Sequence, residues 1–391
     1  MHDQIKKVVA HWLRCPIATE SQHVSDFGRI QSFDCVLVEI HTAQGLVGHG
    51  EAKAAVGSSG DCAALASCIN HEFAPLLVDE NPSDISRIWE KLYNGTRDHY
   101  AVSRGRTFPT LGRRGLHVCA ISAIDTALWD ILGKRLNCSV TELLGGACRQ
   151  AMPAYASGGW ADREKIGEQL LSYTAKGFGG VKMRVGVIDG SPRRSAERVW
   201  AAREALGDDV KLMVDAHGTF STAEAKRFCQ LTEQADLFWF EEPCSADNLA
   251  GTAEVRLQTA TPIALGESEF TRFDLRDALL ASAADVLQPD PAIVGGITEM
   301  RRIAALAESF QVALAPHCWG SAFSFRAALA VAFASPAAII LEFSLGANPL
   351  LHDLVEEATA CDPQGNISCP SGPGLGLTLN REFVNEFSVP T

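Results

Sequence analysis

Several things are missing from this sequence, and each absence excludes something. The 391 residues include twelve cysteines but no Cys-x-x-Cys, and the cysteines fall inside apolar runs (Cys35, Cys119, Cys229) as often as in loops. They read as reduced core residues, which excludes a disulfide frame or a zinc ribbon. No stretch approaches ~18 uninterrupted apolar residues, so no membrane span is expected. Met1 to Leu13 carries Asp3, Lys6 and Lys7 and lacks the apolar centre of a secretion signal, so a cytoplasmic location is expected. Basic residues are few, 34 against 47 acidic, for a net charge of -13. The short runs Arg113-Arg114 and Arg193-Arg194 are too small for a nucleic-acid surface, so nucleic acid is not expected as a partner. No Gly-rich phosphate turn follows any apolar run, which argues against a dinucleotide-binding open sheet.

What is present has the size of a barrel plus a smaller domain. Ile5 to Leu13, Phe33 to His41 and Leu46 to Gly50 read as an antiparallel meander. Residues 61–78, 83–93 and 114–135 have helical spacing, the last with Ile121, Ile124, Leu128 and Ile131 along one stripe. From Met152 the pattern changes to short apolar runs alternating with helices: Ala154–Ala156, Val181–Met183, Leu212–Val214, Phe238–Phe240, Ile263–Leu265, Val286–Leu287, Val312–Ala315 and Ile339–Leu341. Eight such units favour a closed parallel barrel. Ser221 to Glu224 reads as a capping box, and Gly177 and Gly207 stand where helices should stop. The Gly- and Pro-rich tail from Ile367 lacks this alternation and should leave the barrel.

A barrel keeps its chemistry at the carboxyl ends of its strands. Asp215, Glu241 and Glu267 each follow an apolar run and are spaced 26 residues apart. Three carboxylates converging on one point repel unless a cation sits between them, and an all-oxygen set suits magnesium. Each alone reads equally well as a helix cap, but all three in matching places do not. The next two strands end in Asp290 and His317, a carboxylate and an imidazole placed to form a general base. A lone histidine in an apolar run is more often structural, so His317 persuades through its strand-end position and its neighbour. Period-two alternation turns Lys182 and Arg184 to the same interior side, suited to a substrate carboxylate or an enolate. Glu342 ends the eighth strand, where it would bond substrate or pair with Lys182. The same alternation carries His217, two after Asp215, toward the site, either as a second acid–base group or as an orienting partner of a metal ligand.

In combination, Ile-Asp-Thr-Ala-Leu-Trp-Asp (124–130), Leu-Leu-Gly-Gly (143–146), Lys-x-Arg (182–184), Val-Asp-Ala-His (214–217), Phe-Glu-Glu-Pro (240–243), Gly-Glu-Ser (266–268), Gln-Pro-Asp (288–290), Pro-His-Cys-Trp-Gly (316–320) and Gly-Pro-Gly-Leu-Gly (372–376) resemble the mandelate racemase family of the enolase superfamily. The resemblance implies an α/β fold: a (β/α)7β modified TIM barrel with an α+β N-terminal capping domain completed by the C-terminal tail. The expected divisions are 1–145, 146–365 and 366–391. It further implies Mg2+ on Asp215, Glu241 and Glu267, the dyad Asp290–His317 as base, Lys182 on the substrate carboxylate, and substrate-choosing loops at Pro16–Asp26 and Glu51–Gly57. The second lysine of the family's strand motif is Arg184 here, and a guanidinium is a poor proton acceptor, which disfavours a two-base racemase. The expected substrate is an aldonic or aldaric acid or its lactone, and the expected assembly a homo-oligomer, dimer or octamer. Dehydration of an acid sugar ranks first, then cycloisomerisation of a lactone or anhydro acid, then racemisation or epimerisation, and last a binding-only barrel.

Overall fold

The computed structural model describes residues 3–26, 28–54, 62–95, 103–105 and 112–390. Three long antiparallel strands, Ile5–Pro16, Ser32–Thr42 and Val47–Ala52, form the amino-terminal sheet, and Ser388–Val389 from the tail adds a fourth against Trp12 and Leu13. One face of this sheet lies on the helix Leu116–Leu136, where Gly48 and Gly50 let the strand approach the helix backbone closely. On the other face the buried Glu39 receives the guanidinium of Arg381 at 2.5 Å, from the helix Arg381–Phe387. The tail therefore contains a helix, N-capped by Asn380, which its Gly- and Pro-rich composition did not suggest.

The helix Leu116–Leu136 is, among the described residues, the one element long and apolar enough to cross a bilayer, and here it is largely buried inside the protein. It also ties the two parts of the molecule together. Ser122 Oγ accepts from Gly295 N at 2.8 Å and Asp125 Oδ2 from Thr298 N at 2.8 Å, so its polar side chains satisfy donors at the start of the helix Gly296–Phe310. Asp130 accepts from His49 N and from Leu375 N, which ties the 124–130 motif to the Gly-Pro-Gly-Leu-Gly motif of the tail. The run 61–78, expected as one helix, is Cys62–Ser67, a π-helical turn Cys68–Phe73 and Ala74–Leu77, with residue 61 outside the described set.

Eight parallel strands follow: Ala151–Ser157, Gly180–Arg184, Lys211–Asp215, Leu237–Glu241, Ile263–Leu265, Val286–Leu287, Ala313–Leu314 and Leu341–Ser344. They pair in sequence order, the eighth pairs with the first, and a parallel bridge from Leu314 to Ala338 closes the circle. Seven helices of eight residues or more alternate with the strands, and among the described residues only the short Pro349–His352 lies between the eighth strand and the tail helix Arg381–Phe387, giving the (β/α)7β arrangement. The eighth strand runs later than the expected Ile339–Leu341. Its backbone pairing starts at Leu341 opposite Ala154, and Ile339 lies outside it, 40 % exposed. The Ser221–Glu224 capping box is present, and Gly207 caps its helix.

The interior is layered. Tyr155, Met213, Trp239, Ala264, Val286, Ala315 and Ile340 form an apolar plug. Two residues further along most strands, on the same pleat face, come Ser157, Asp215, Glu241, Gln288, His317 and Glu342, all buried. The polar layer is thus held from below by a packed core.

Candidate active site

Strand register aligns the polar layer. Arg184 is the Cα partner of Asp215, Asp215 of Glu241, and Glu241 of Ala264, so three charged residues stand in a row across neighbouring strands. Lys182 and Arg184 share the interior face as alternation requires. The Lys182 ammonium is ion-paired with Glu241, lies 3.0 Å from Glu342 Oε1 and 3.6 Å from Asp215 Oδ2, and sits 5.6 Å above the Tyr155 ring. Burial alone would lower the Lys182 pKa, but Glu241 and Glu342 outweigh it and raise it well above the usual value, so Lys182 stays a cation. Arg184 pairs with Asp215. Burial would raise the Asp215 carboxyl, yet Arg184, His217 and Lys182 hold it well below the usual range.

The structure brings all nine expected site residues into one connected network. Glu342 Oε2 accepts from Cys318 N at 2.7 Å and Oε1 from Trp319 Nε1 at 3.1 Å. Against the effect of burial, Lys182 and His317 pull the Glu342 carboxyl down to about 2, so it is an anion paired with Lys182 rather than a protonated donor. His317 Nδ1 lies 2.8 Å from Asp290 Oδ2, whose other oxygen accepts from Ala292 N at 2.7 Å. That contact leaves His317 Nε2 turned toward Glu267 Oε2 at 3.5 Å. Burial would lower the ring's pKa, but Glu267, Glu342 and Asp290 reverse the effect and raise it.

His217 reaches the site by a different route from the one alternation implied. Its strand ends at Asp215, and His217 sits in a turn with φ of 43°, its own N–H donating to Asp215 Oδ1 at 2.9 Å. The turn, not the pleat, aims the ring so that Nε2 lies 3.5 Å from Asp215 Oδ2 and 3.8 Å from Glu267 Oε1. The two imidazoles therefore flank one carboxylate, each facing a different oxygen.

Both Glu267 oxygens are buried without a hydrogen-bond partner, a costly arrangement that a cation would relieve. Asp215, His217 and Glu267 offer donor atoms all within 4.8 Å of one another. Glu241 borders this group, with Oε1 on Lys182 and Oε2 accepting from Trp239 Nε1 at 3.0 Å and Gln288 Nε2 at 2.8 Å. The oxygen-rich donor set fits a hard divalent ion. A second donor group, Cys68, Glu72 and His117, is partly exposed, and Arg113 holds Glu72 at 3.3 Å, which places a cationic side chain on the would-be ligand.

The loop after Pro16 lies over the site. His23 stacks on Trp160 at 3.8 Å and 21°, and Trp319 meets Trp160 edge-on at 5.7 Å. Asp26 Oδ2 is 2.6 Å from His217 Nδ1. His23, Asp26 and Trp160 were not singled out from the sequence, because they lie in segments without periodicity. Glu51, expected to open a second lid loop, is instead the end of a strand. Its carboxylate accepts from Ser321 N and Ser324 N at the start of the helix Ala322–Ala334, while 55–57 lie outside the described residues.

Residues 165–383 match the family model described as enolase C-terminal domain-like, and residues 10–145 match the mandelate racemase / muconate lactonizing enzyme N-terminal domain. The chain is 33% identical over 369 residues to the D-galactarolactone cycloisomerase of Agrobacterium fabrum, covering 91% of each chain. It is also 33% identical over 358 residues to the arabinonate dehydratase of Saccharolobus solfataricus, covering 90% of each. Its fold is similar to that of a racemase from Streptomyces coelicolor solved with bound magnesium, with a TM-score of 0.85 and 29% identity over 98% of this chain and 100% of that one.

Proposed function

The chain belongs to the mandelate racemase / muconate lactonizing enzyme family of the enolase superfamily, and from that membership we propose that it removes the α-proton of a sugar-acid carboxylate and then eliminates water across the α and β carbons. The observation that carries this reading is the pair of imidazoles flanking Glu267, His317 backed by Asp290 and His217 backed by Asp26. One serves as base and the other as acid, which dehydration requires.

Magnesium would be held by Asp215, Glu241 and Glu267, where it would supply positive charge to the substrate carboxylate and to the enediolate formed from it. The chain's own residues do the rest. Lys182, a permanent cation, holds the substrate carboxylate and offsets the charge that grows on it. Arg184 adds a second fixed cation but takes no proton, so deprotonation proceeds from the His317 side only. His317 Nε2 accepts the α-proton while Asp290 keeps the other ring nitrogen protonated. The plug beneath and the loop above exclude water, which strengthens each of these interactions. The same reading divides the chain into a capping domain (1–145), a barrel (146–365) and a returning tail (366–391).

A second reading, cycloisomerisation of an acid-sugar lactone, is supported by the similarity to a cycloisomerase at the same identity as to a dehydratase. Product structure separates the two. The purified protein with Mg2+ is screened against aldonic and aldaric acids and their lactones, with 2-keto products trapped by semicarbazide. Keto acid from one stereochemical series supports dehydration. A rearranged lactone without keto acid supports the second reading.

A further inference from the structure

We infer that Asp26 is a positioning residue for the second acid–base group: the capping loop supplies the carboxylate that sets the tautomer and aim of His217, and so completes the machinery it covers. The inference rests on the role of His217 given above and extends it to a residue 191 positions away in the chain.

The Asp26–His217 contact matches that of the Asp290–His317 dyad in form, 2.6 Å against 2.8 Å, both from a carboxylate oxygen to Nδ1. The side chains of Asp26 and His217 are each 4 % exposed, so the pair is shielded from water. A ring nitrogen facing a shielded carboxylate carries the proton, which leaves Nε2 as the atom that faces Asp215 and Glu267. The two dyads differ in origin. Asp290 stands three residues after the barrel strand Val286–Leu287, whereas Asp26 arrives on the loop between two strands of the amino-terminal sheet.

That loop has a defined seat. His23, three residues before Asp26, is stacked between loop and barrel on Trp160, with Trp319 at 6.5 Å and Phe33 stacked on Trp319 at 6.4 Å. Ile17 N donates to Gln31 O at 2.8 Å and Ile30 N to His23 O at 3.0 Å, so the loop is also braced internally. The segment that holds His23 on Trp160 thus also holds Asp26 on His217.

In the elimination, His317 Nε2 takes the α-proton and the freed electron pair forms the α–β double bond. The β C–O bond breaks with its pair going to oxygen, and His217, entering as the imidazolium with Nδ1–H on Asp26, passes its Nε2 proton to that oxygen to give water and is left as the neutral Nδ1–H tautomer. The enol then becomes the 2-keto acid. Asp26 accepts from Nδ1–H before and after the transfer, so the ring does not turn as it gives up its proton.

The test uses the full chain with Mg2+, labelled with 15N-histidine, and the variants Asp26→Ala and Asp26→Asn. Two-bond 1H–15N spectra, with His217 assigned through His217→Gln, report the tautomer directly. The wild type should show Nδ1–H. Asp26→Ala should lose that preference, and Asp26→Asn, whose amide oxygen still accepts, should keep it. On the acid sugar identified by the screen, keto-acid formation should fall roughly 100-fold in Asp26→Ala and about 10-fold in Asp26→Asn. KM should change little, while deuterium wash-in at the α-carbon from D2O continues. An unchanged His217 tautomer in Asp26→Ala overturns the inference, as does a parallel loss of wash-in and elimination with a raised KM, which would make Asp26 a loop-shaping residue only. A tautomer change in a protein that forms no keto acid would keep the positioning role and sink the elimination reading instead.

Discussion

Replacing Gly50 with alanine tests how the amino-terminal sheet is held against the helix Leu116–Leu136. A Cβ at this position would lie 2.0 Å from Ala123 O, 2.9 Å from Ala127 N and 3.0 Å from Ala123 C, all backbone atoms of the helix Leu116–Leu136. No side chain can rotate away, so strand and helix must part by about 1.4 Å to bring the closest contact to the 3.4 Å of ordinary packing. Overpacking of a core costs about 1–3 kcal/mol, and a clash against rigid backbone belongs at the upper end, about 3 kcal/mol. At ~2.1 cal/mol/K per residue, 391 residues unfolding as one unit lose about 0.8 kcal/mol of stability per kelvin, so the midpoint should drop by about 4 °C. The neighbouring Glu51 and Lys53 hold Ser321 and the Trp319 carbonyl, so the same displacement should also raise KM. Urea unfolding followed by tryptophan fluorescence measures the first effect, with Gly179→Ala, whose Cβ would meet nothing within 4 Å, as the control. A Gly50→Ala protein within about 0.5 kcal/mol of wild type, or no less stable than the control, would refute the close-approach reasoning.

Three other outcomes follow from the site. Asp290→Asn should slow α-proton removal by roughly 10²–10⁴-fold with little loss of stability, because the amide oxygen can still accept from Ala292 N; deuterium exchange and denaturant titration check the two halves. Burial beside Arg184 lowers the His23 pKa to about 4, so the folded state resists protonating a ring that the unfolded chain protonates below about 6.5. Stability conferred by the loop should therefore be full above pH 6.5 and fall as pH drops toward 4, seen as a change in tryptophan fluorescence that His23→Phe flattens. Mg2+ at tenfold over its Kd should stabilise the fold by about 1.4 kcal/mol, read as a higher unfolding midpoint, and Glu267→Gln, which removes one of the two unpartnered oxygens, should abolish the increment.

How much of this was legible in the sequence differs from element to element. Asp215, Glu241 and Glu267 could be read because each ends an apolar strand or follows it within two residues, and strand ends are where a barrel places its polar layer. Asp290 and His317 could be paired for the same reason. His217 stands beside Asp215 and Glu267 by a geometry that the sequence pattern could not express, since its orientation depends on a positive φ rather than on alternation. Asp26, His23 and Trp160 had no periodic signal, and their roles arise only from contacts between distant segments. The tail helix was hidden by its Gly- and Pro-rich surroundings, because the stabilising contact, Arg381 on Glu39, is also long-range. Glu51 was misread as a lid residue because its partner, the start of the helix Ala322–Ala334, lies 270 positions later.

Every step proposed for this site follows from His317 removing a proton next to a carboxylate. The most direct test is deuterium incorporation at the α-carbon of acid sugars in D2O, followed by proton NMR with Mg2+ present, for wild type and His317→Asn. The wild type should show incorporation or keto-acid formation and the variant a loss of at least ~10³-fold, with the fold intact. Turnover by His317→Asn at the wild-type rate would contradict this role of His317.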